Sequence, residues 1–143
     1  MRAVVQRVTQ AKVEVDGKVT GEIKKGFLVL VGFTHGDTEA DCIRVAKKIS
    51  GLRIFSDEND KINLSLKDVE GDILCVSQFT LYADCSHGNR PSFTNAARPD
   101  LAEPLYEFFC KELEQYAHTE RGIFGADMKV SLLNDGPFTV IIE

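Results

Sequence analysis

The chain has 143 residues, 43% of them hydrophobic and 27% charged, and its net charge is −5 from 17 basic and 22 acidic side chains. This is ordinary globular composition at the length of one domain, residues 1–143, and the negative charge argues against broad non-specific binding to nucleic acid. No apolar run reaches the roughly 18 residues of a membrane span, so we expect no membrane contact and a cytoplasmic protein.

The cysteines and histidines are widely spaced. There is no CxxC pair and no cluster of Cys and His, so the sequence predicts neither a zinc site nor a redox motif. We expect reduced thiols, no metal and no cofactor. Because each histidine is isolated, a conventional catalytic triad is hard to assemble.

The first third of the chain predicts strands followed by a helix. Residues 2–8 alternate in polarity, and the segments 12–16 and 18–23 flank an Asp-Gly hairpin signal, which together predict an antiparallel meander. The almost entirely apolar run 27–33 predicts a central strand covered on both faces. A capping box and helical spacing then predict a first helix over about 38–50.

The segment 72–84 begins as an apolar strand and becomes polar while strand-forming residues continue. Ser77, Gln78 and Thr80 interrupt the run, and a buried polar side chain costs about 1–3 kcal/mol without a partner. Two interpretations stay open: these side chains cap the strand, or they mark a ligand site at the end of a sheet.

The irregular segment 85–97 adjoins this polar strand end and either shapes a site or only connects two elements. A second helix is predicted from Pro99, because proline suits the first turn, with an apolar stripe that predicts core packing. The stripe comprises Leu101, Leu105, Phe108, Phe109, Leu113 and Tyr116.

Two more strands are predicted at the end of the chain, over 128–132 and 138–142. Asn134-Asp-Gly-Pro137 lies between them and, by itself, predicts a hairpin turn. The predicted elements therefore give an α/β fold with a mixed, largely antiparallel sheet and two main helices.

Two short motifs resemble the signatures of the D-aminoacyl-tRNA deacylases: Ser77-Gln-Phe-Thr-Leu81 and Asn134-Asp-Gly-Pro-Phe-Thr139. Gln6-Arg-Val-Thr9, Arg53-Ile-Phe-Ser-Asp57, Arg90-Pro-Ser-Phe93 and Ala126-Asp-Met128 are also similar to that family, so the resemblance covers essentially the whole chain.

The resemblance implies a homodimeric enzyme that hydrolyses the ester joining a D-amino acid to the terminal adenosine at the 3′ acceptor end of tRNA. If selection works by excluding an L side chain, glycyl-tRNA is also expected to be a substrate, because glycine has no side chain to exclude. The resemblance implies that the neighbouring ribose 2′-hydroxyl assists attack by water. It also implies that Gly136 and Pro137 form a cis unit that reaches into the partner's pocket and selects by chirality.

On the same resemblance, the catalytic pocket contains Ser77, Gln78, Phe79 and Thr80, and backbone amides there stabilise the developing oxyanion. Ala102 and Phe124 are expected near the terminal adenosine.

Two other functions stay open. Thr80 is the one residue that a conventional esterase could use as a nucleophile, although no neighbour in the sequence activates it. A non-enzymatic module that holds nucleic-acid ends is the second alternative.

Overall fold

The computed structural model describes residues 1–143 and contains eight strands, two α-helices and one 3₁₀ helix. The strands are β1 (Arg2–Val15), β2 (Lys18–Ile23), β3 (Gly26–Gly32), β4 (Phe55–Ser56), β5 (Ile62–Leu64), β6 (Asp72–Ser77), β7 (Thr119–Arg121) and β8 (Lys129–Ile142). The helices are α1 (Glu39–Gly51), α2 (Pro99–Glu114) and the 3₁₀ helix (Phe79–Tyr82). Neither α-helix has the length and apolar character of a membrane span.

The long strand β1 is the centre of the main sheet, because both of its edges are paired. One edge pairs with β8 from Ala3 to Glu14. The other edge is shared by two strands laid end to end, β2 along the second half of β1 and β3 along the first half. The predicted hairpin at Asp16-Gly17 is present, but the predicted meander is wrong, because residues 2–8 and 12–15 belong to one continuous strand, β1, instead of two.

The sheet continues from β3 through two parallel pairings, to β6 and then to β7. The observed sheet is therefore mixed and largely antiparallel, and with two α-helices it confirms the predicted fold class. As predicted, β3 is covered on both faces, since only one of its seven residues is not fully buried.

The larger core lies between the sheet and the two helices. Phe27, Val29 and Ile73 point to this side, where α1 and α2 pack on them. Leu28 and Leu74 point to the opposite side and join a smaller apolar cluster. The sheet curls around that cluster, because β2 approaches β7 closely enough for Thr20 Oγ1 to donate to the carbonyl of Arg121 at 3.3 Å.

The strand β8 corrects the prediction of a hairpin turn at Asn134–Pro137. The chain does not reverse there but leaves the line of the strand and returns to it. Asn134 pairs with Val8, and Thr139 pairs with Gln6, so four residues of β8 lie opposite Arg7 alone. Asn134-Asp-Gly-Pro is therefore the start of a large bulge in one continuous strand.

Candidate active site

A cleft of about 690 Å³ lies at the carboxyl end of β6. Its lining includes five of the eight residues that the sequence proposed for the site: Ser77, Gln78, Phe79, Ala102 and Phe124. These residues come from β6, the 3₁₀ helix, α2 and the segment before β8. The fold therefore brings together residues that are up to about fifty positions apart in the chain.

The polar end of β6 is placed by its parallel pairing with β3. Ser77 is the last residue of β6 in register, opposite Val31, and the next amide, that of Gln78, donates to the carbonyl of Val31 at 2.8 Å. A side chain is excluded at Gly32, because a Cβ there would lie 2.8 Å from the carbonyl oxygen of Gln78. Glycine thus lets β3 support the polar segment at close range.

The first two amides of the 3₁₀ helix, those of Phe79 and Thr80, have no acceptor within the helix, because they belong to its first turn. Ser77 and Gln78 are half-buried beside them. The cleft therefore combines a half-buried hydroxyl and amide with backbone donors at its polar end.

Thr80 does not line the cleft. Its side chain is exposed, and its Oγ1 accepts a hydrogen bond from Nε2 of Gln78 at 2.6 Å. The sequence predicted three buried polar side chains at this strand end, and the prediction is wrong for Thr80, because its side chain is exposed. The hydrogen bond to Thr80 orients the side chain of Gln78. No histidine or carboxylate bonds to the threonine hydroxyl.

Arg98 is the only ionisable side chain among the residues that line the cleft. The remaining lining is apolar or neutral. Nowhere in the chain do three His, Cys, Asp or Glu side chains come together in a group that could hold a metal ion. An ester bound in this cleft would therefore meet no side chain able to act as a general base.

The helix α2 forms the apolar wall. Pro99 occupies its first position as predicted, and Ala102 is buried against the cleft. The sequence stripe missed Tyr106, one turn after Ala102, which is fully buried and donates its hydroxyl to the carbonyl of Cys75 at 2.8 Å. Burial raises the pKa of Tyr106, so the hydroxyl stays protonated as the donor that ties α2 to β6.

Phe124 completes this wall, with its ring centroid 6.0 Å from that of Tyr106. Tyr116, which the stripe placed in the core, lies beyond the end of α2 and is exposed. The spacing could have revealed Tyr106, because it lies four residues after Ala102 and seven before Leu113 on one helix face.

Gly136 and Pro137 do not line the cleft of their own chain. They sit in the exposed bulge of β8, and the peptide bond between them is cis. Gly136 has a φ of +139°, a conformation that favours glycine. Arg7 fixes the bulge from below, since its Nε donates to the carbonyl of Asp135 and its guanidinium lies over the ring of Phe138.

Comparison with known proteins identifies the family of this chain. The family model described as D-Tyr-tRNA(Tyr) deacylase matches residues 4–143. Proteins named D-aminoacyl-tRNA deacylase from Bacillus cytotoxicus and Bacillus cereus are each 56% identical over 144 residues, covering 100% of this chain and 99% of the relative.

Two solved structures share the fold. One, named c-Myc DNA Unwinding Element Binding Protein, is 41% identical with a TM-score of 0.94 and covers 100% of this chain and 98% of its own. The other, described as a probable eukaryotic D-amino acid tRNA deacylase, has a TM-score of 0.84 at 20% identity, covering 99% and 97%. With a family model that spans nearly its whole length and relatives at 56% identity, the chain belongs to the D-Tyr-tRNA(Tyr) deacylase family.

Proposed function

We propose that this protein is a hydrolase that cleaves the ester between a D-amino acid and tRNA in the cytoplasm, releasing the free amino acid and the tRNA. The observation that carries the proposal is the cleft at the end of β6. It holds Ser77, Gln78 and Phe79 of the first motif in a chain that belongs to this deacylase family throughout. The activity removes D-amino acids before they enter translation.

The absence of a base from the cleft lining supports a reaction in which the substrate supplies a reacting group. In this mechanism the ribose 2′-hydroxyl next to the ester assists attack by water. The carbonyl oxygen becomes an oxyanion, which the first-turn amides of Phe79 and Thr80 are suited to stabilise. The bond between the carbonyl carbon and the ribose 3′-oxygen then breaks, and the 3′-oxygen receives, through the 2′-hydroxyl, the proton that the attacking water loses.

Ala102 and Phe124 supply an apolar wall of suitable size for the terminal adenosine, and Gln78 supplies an amide at the polar end. Thr80 has a supporting role, since it holds the Gln78 side chain through a hydrogen bond. An unactivated threonine hydroxyl is a weak nucleophile, which favours the substrate-assisted route over a Thr80-dependent esterase.

The active form on this proposal is a homodimer in which Gly136 and Pro137 of one protomer complete the cleft of the other. Two features of β8 support it. The strand pairs with β1 on one edge only, and Leu133 and Ile141 on it are 55% and 65% exposed. Exposed apolar side chains on an unpaired strand edge are typical of an interface, and this strand carries the selecting motif.

Incubation of the protein with D-tyrosyl-tRNA and L-tyrosyl-tRNA tests the activity. Loss of the D ester alone supports the proposal, and equal loss of both esters indicates a conventional esterase. Binding to tRNA without turnover of either ester would favour the module that holds nucleic-acid ends. That second candidate draws support from the DNA-binding name of the structural relative at 41% identity.

A further inference from the structure

An exposed aromatic pair stands at the mouth of the cleft. The rings of Phe79 and Phe93 meet edge to face with centroids 5.2 Å apart, and both residues line the cleft. They are nevertheless 54% and 42% exposed, although other phenylalanines of this chain, such as Phe27 and Phe109, are fully buried. Exposed rings beside a binding cleft offer a flat apolar surface to a ligand.

The chain around Phe93 is firmly held. Ser92 exchanges two backbone hydrogen bonds with Asp84, at 2.8 and 2.9 Å. On the other side, the carbonyl of Thr94 accepts from Nε2 of His35 at 2.7 Å, and the carbonyl of Asn95 accepts from Thr34 at 2.6 Å. The exposed ring is therefore carried by an ordered backbone, which reduces the entropy lost when a ligand binds to it.

The same segment is locally basic in an acidic chain. Residues 85–98 contain two arginines and no Asp or Glu, whereas the whole chain has a net charge of −5. Arg98 lines the cleft, and its side chain is 85% exposed. Its ion pair with Asp100 spans 4.0 Å between two equally exposed side chains, so it competes little with a phosphate.

A fixed, exposed aromatic ring and an available guanidinium that line one cleft form a combination suited to single-stranded nucleic acid. The base stacks on the ring, and the arginine contacts the backbone phosphate. We propose that Phe93 and Arg98 bind the nucleotide that precedes the terminal adenosine of tRNA, with Phe93 stacking on its base and Arg98 contacting a phosphate.

This inference rests on the proposed function, because the bound aminoacyl-adenosine fixes where the RNA leaves the cleft. The preceding nucleotide has to leave the cleft where the cleft opens to solvent, and the exposed rings of Phe79 and Phe93 and the exposed Arg98 side chain line that opening. A contact of this kind lets an acidic protein hold tRNA by a few nucleotides at its end, with no extended basic surface.

Two substrates with the same D-tyrosyl group separate this contact from the catalytic pocket. D-tyrosyl-tRNA contains the preceding nucleotide, and D-tyrosyl-adenosine lacks it. For Phe93→Ala we expect kcat/KM on the tRNA ester to fall roughly 5- to 150-fold, the range for one lost base–aromatic stack, and to fall much less on the adenosine ester. For Arg98→Gln we expect the salt dependence of tRNA binding to weaken by a slope of about 0.7.

Matched controls lie elsewhere on the chain. Tyr116→Ala removes an aromatic side chain that is also 42% exposed but does not line the cleft. Lys67→Gln removes an exposed charge near the opposite end of β6. Both controls should leave the ratio of the two rates at the wild-type value.

Equal losses on both esters for Phe93→Ala would overturn the proposal, because the ring would then serve the terminal pocket. A Phe93→Ala protein that sediments as a monomer where the wild type is a dimer would also overturn it, since the ring would then be part of a protein interface.

Failure of the proposed function is a separate result, in which the wild type cleaves neither ester. Fluorescence anisotropy with a labelled RNA hairpin ending in CCA then reads the contact directly. Weaker binding by Phe93→Ala supports the proposal, and binding equal to that of the wild type overturns it.

Discussion

Arg7 holds Asp135 from beneath the bulge of β8. Its Nε donates to the carbonyl of Asp135 at 2.9 Å and lies 3.5 Å from the carboxylate of the same residue. Its Nη1 donates to the carbonyl of Ile54 at 2.6 Å, and Arg7 is only 8% exposed. One buried guanidinium therefore fixes the segment that carries Gly136 to the body of the protein.

Replacing Arg7 should loosen the bulge that carries Gly136 and Pro137. Arg7→Met keeps an unbranched, largely apolar side chain but removes the donor to both carbonyls. The buried carbonyl of Ile54 is left unsatisfied, at a cost of about 1–3 kcal/mol in the free energy of unfolding. We expect the ratio of D-tyrosyl to L-tyrosyl ester hydrolysis to fall as well. Arg44→Met, which removes an exposed guanidinium, is the control, and an unchanged ratio in Arg7→Met would make Arg7 purely structural.

Mixing two defective variants should restore D-selective sites if the Gly136-Pro137 segment acts across a dimer. Gly136→Ala places a side chain at a φ of +139° and its Cβ 3.1 Å from Arg7, which should impair selection, while Gln78→Trp fills the cleft and should abolish hydrolysis. In a mixed dimer one cleft and one Gly136-Pro137 segment are both intact, so random reassociation should restore about a quarter of the wild-type number of sites that cleave the D ester alone. No recovery, with mixed dimers present by mass spectrometry, would mean that the motif serves its own chain.

Thr80→Ala should keep most of the activity, because the hydroxyl is outside the cleft and only orients Gln78. Single-turnover rates should fall less than about tenfold, whereas loss of a true nucleophile such as that of subtilisin costs about 10⁶-fold. A substrate that ends in 2′-deoxyadenosine should react poorly with the wild type. An inactive Thr80→Ala enzyme together with a reactive deoxy substrate would establish the threonine esterase instead.

Glycyl-tRNA should be hydrolysed while L-alanyl-tRNA is spared. If rigid backbone at Gly136 and Pro137 occupies the space of an L side chain, any D side chain passes, and glycine passes because it has none. Rejection of one methyl group by a fixed wall can exceed the roughly 1–3 kcal/mol that a methylene gains in an apolar pocket. Hydrolysis of D-alanyl-tRNA without hydrolysis of glycyl-tRNA would indicate positive recognition of the D side chain.

The buried thiols should resist alkylation in the folded protein. Burial raises the pKa of Cys42 to about 12 from its ordinary value of 9.0, and Asp37 and Asp41 add to the shift. At pH 8 only about one Cys42 in 10⁴ is a thiolate, so iodoacetamide should label the exposed Cys85 first, as read by mass spectrometry. Rapid labelling of Cys42 at pH 8 would contradict this environment.

The same pKa shift predicts how stability changes with pH. The folded state holds the Cys42 proton more tightly than the unfolded state, so the stabilisation is complete below pH 9 and is lost as the pH rises toward 12. Cys42→Ala should show a smaller fall in unfolding free energy over that interval. An equal fall in both proteins would mean that Cys42 contributes nothing to it.

Local sequence patterns predicted where the strands lie better than they predicted which strands pair with each other. The apolar run of β3 and the hairpin at Asp16-Gly17 follow from nearest neighbours, so the sequence predicted both. The pairing of β3 with β1 was missed, because either edge of a strand satisfies the same alternation. The other edge of β3 pairs with β6, more than forty residues later in the chain, and no local pattern shows a partner at that distance.

The site shows the same limit. The polar residues after Val76 marked the end of β6, but only the family resemblance joined Ala102 and Phe124 to them, since a helix wall contains no local sign of what it faces. Asn134–Pro137 has the residues of a turn, but the chain does not reverse there, because β8 pairs with β1 on both sides of this segment.

The bulge in β8 holds Gly136 and Pro137 outside the regular pairing of the sheet. Between Asn134 and Thr139 the chain uses three more residues than β1 uses between Val8 and Gln6, and the ladder resumes on both sides. A chain shortened by three residues here could close the ladder without disturbing any other strand. On the proposed role of Gly136 and Pro137, the stereochemical filter therefore occupies residues that the pairing of β1 with β8 does not need.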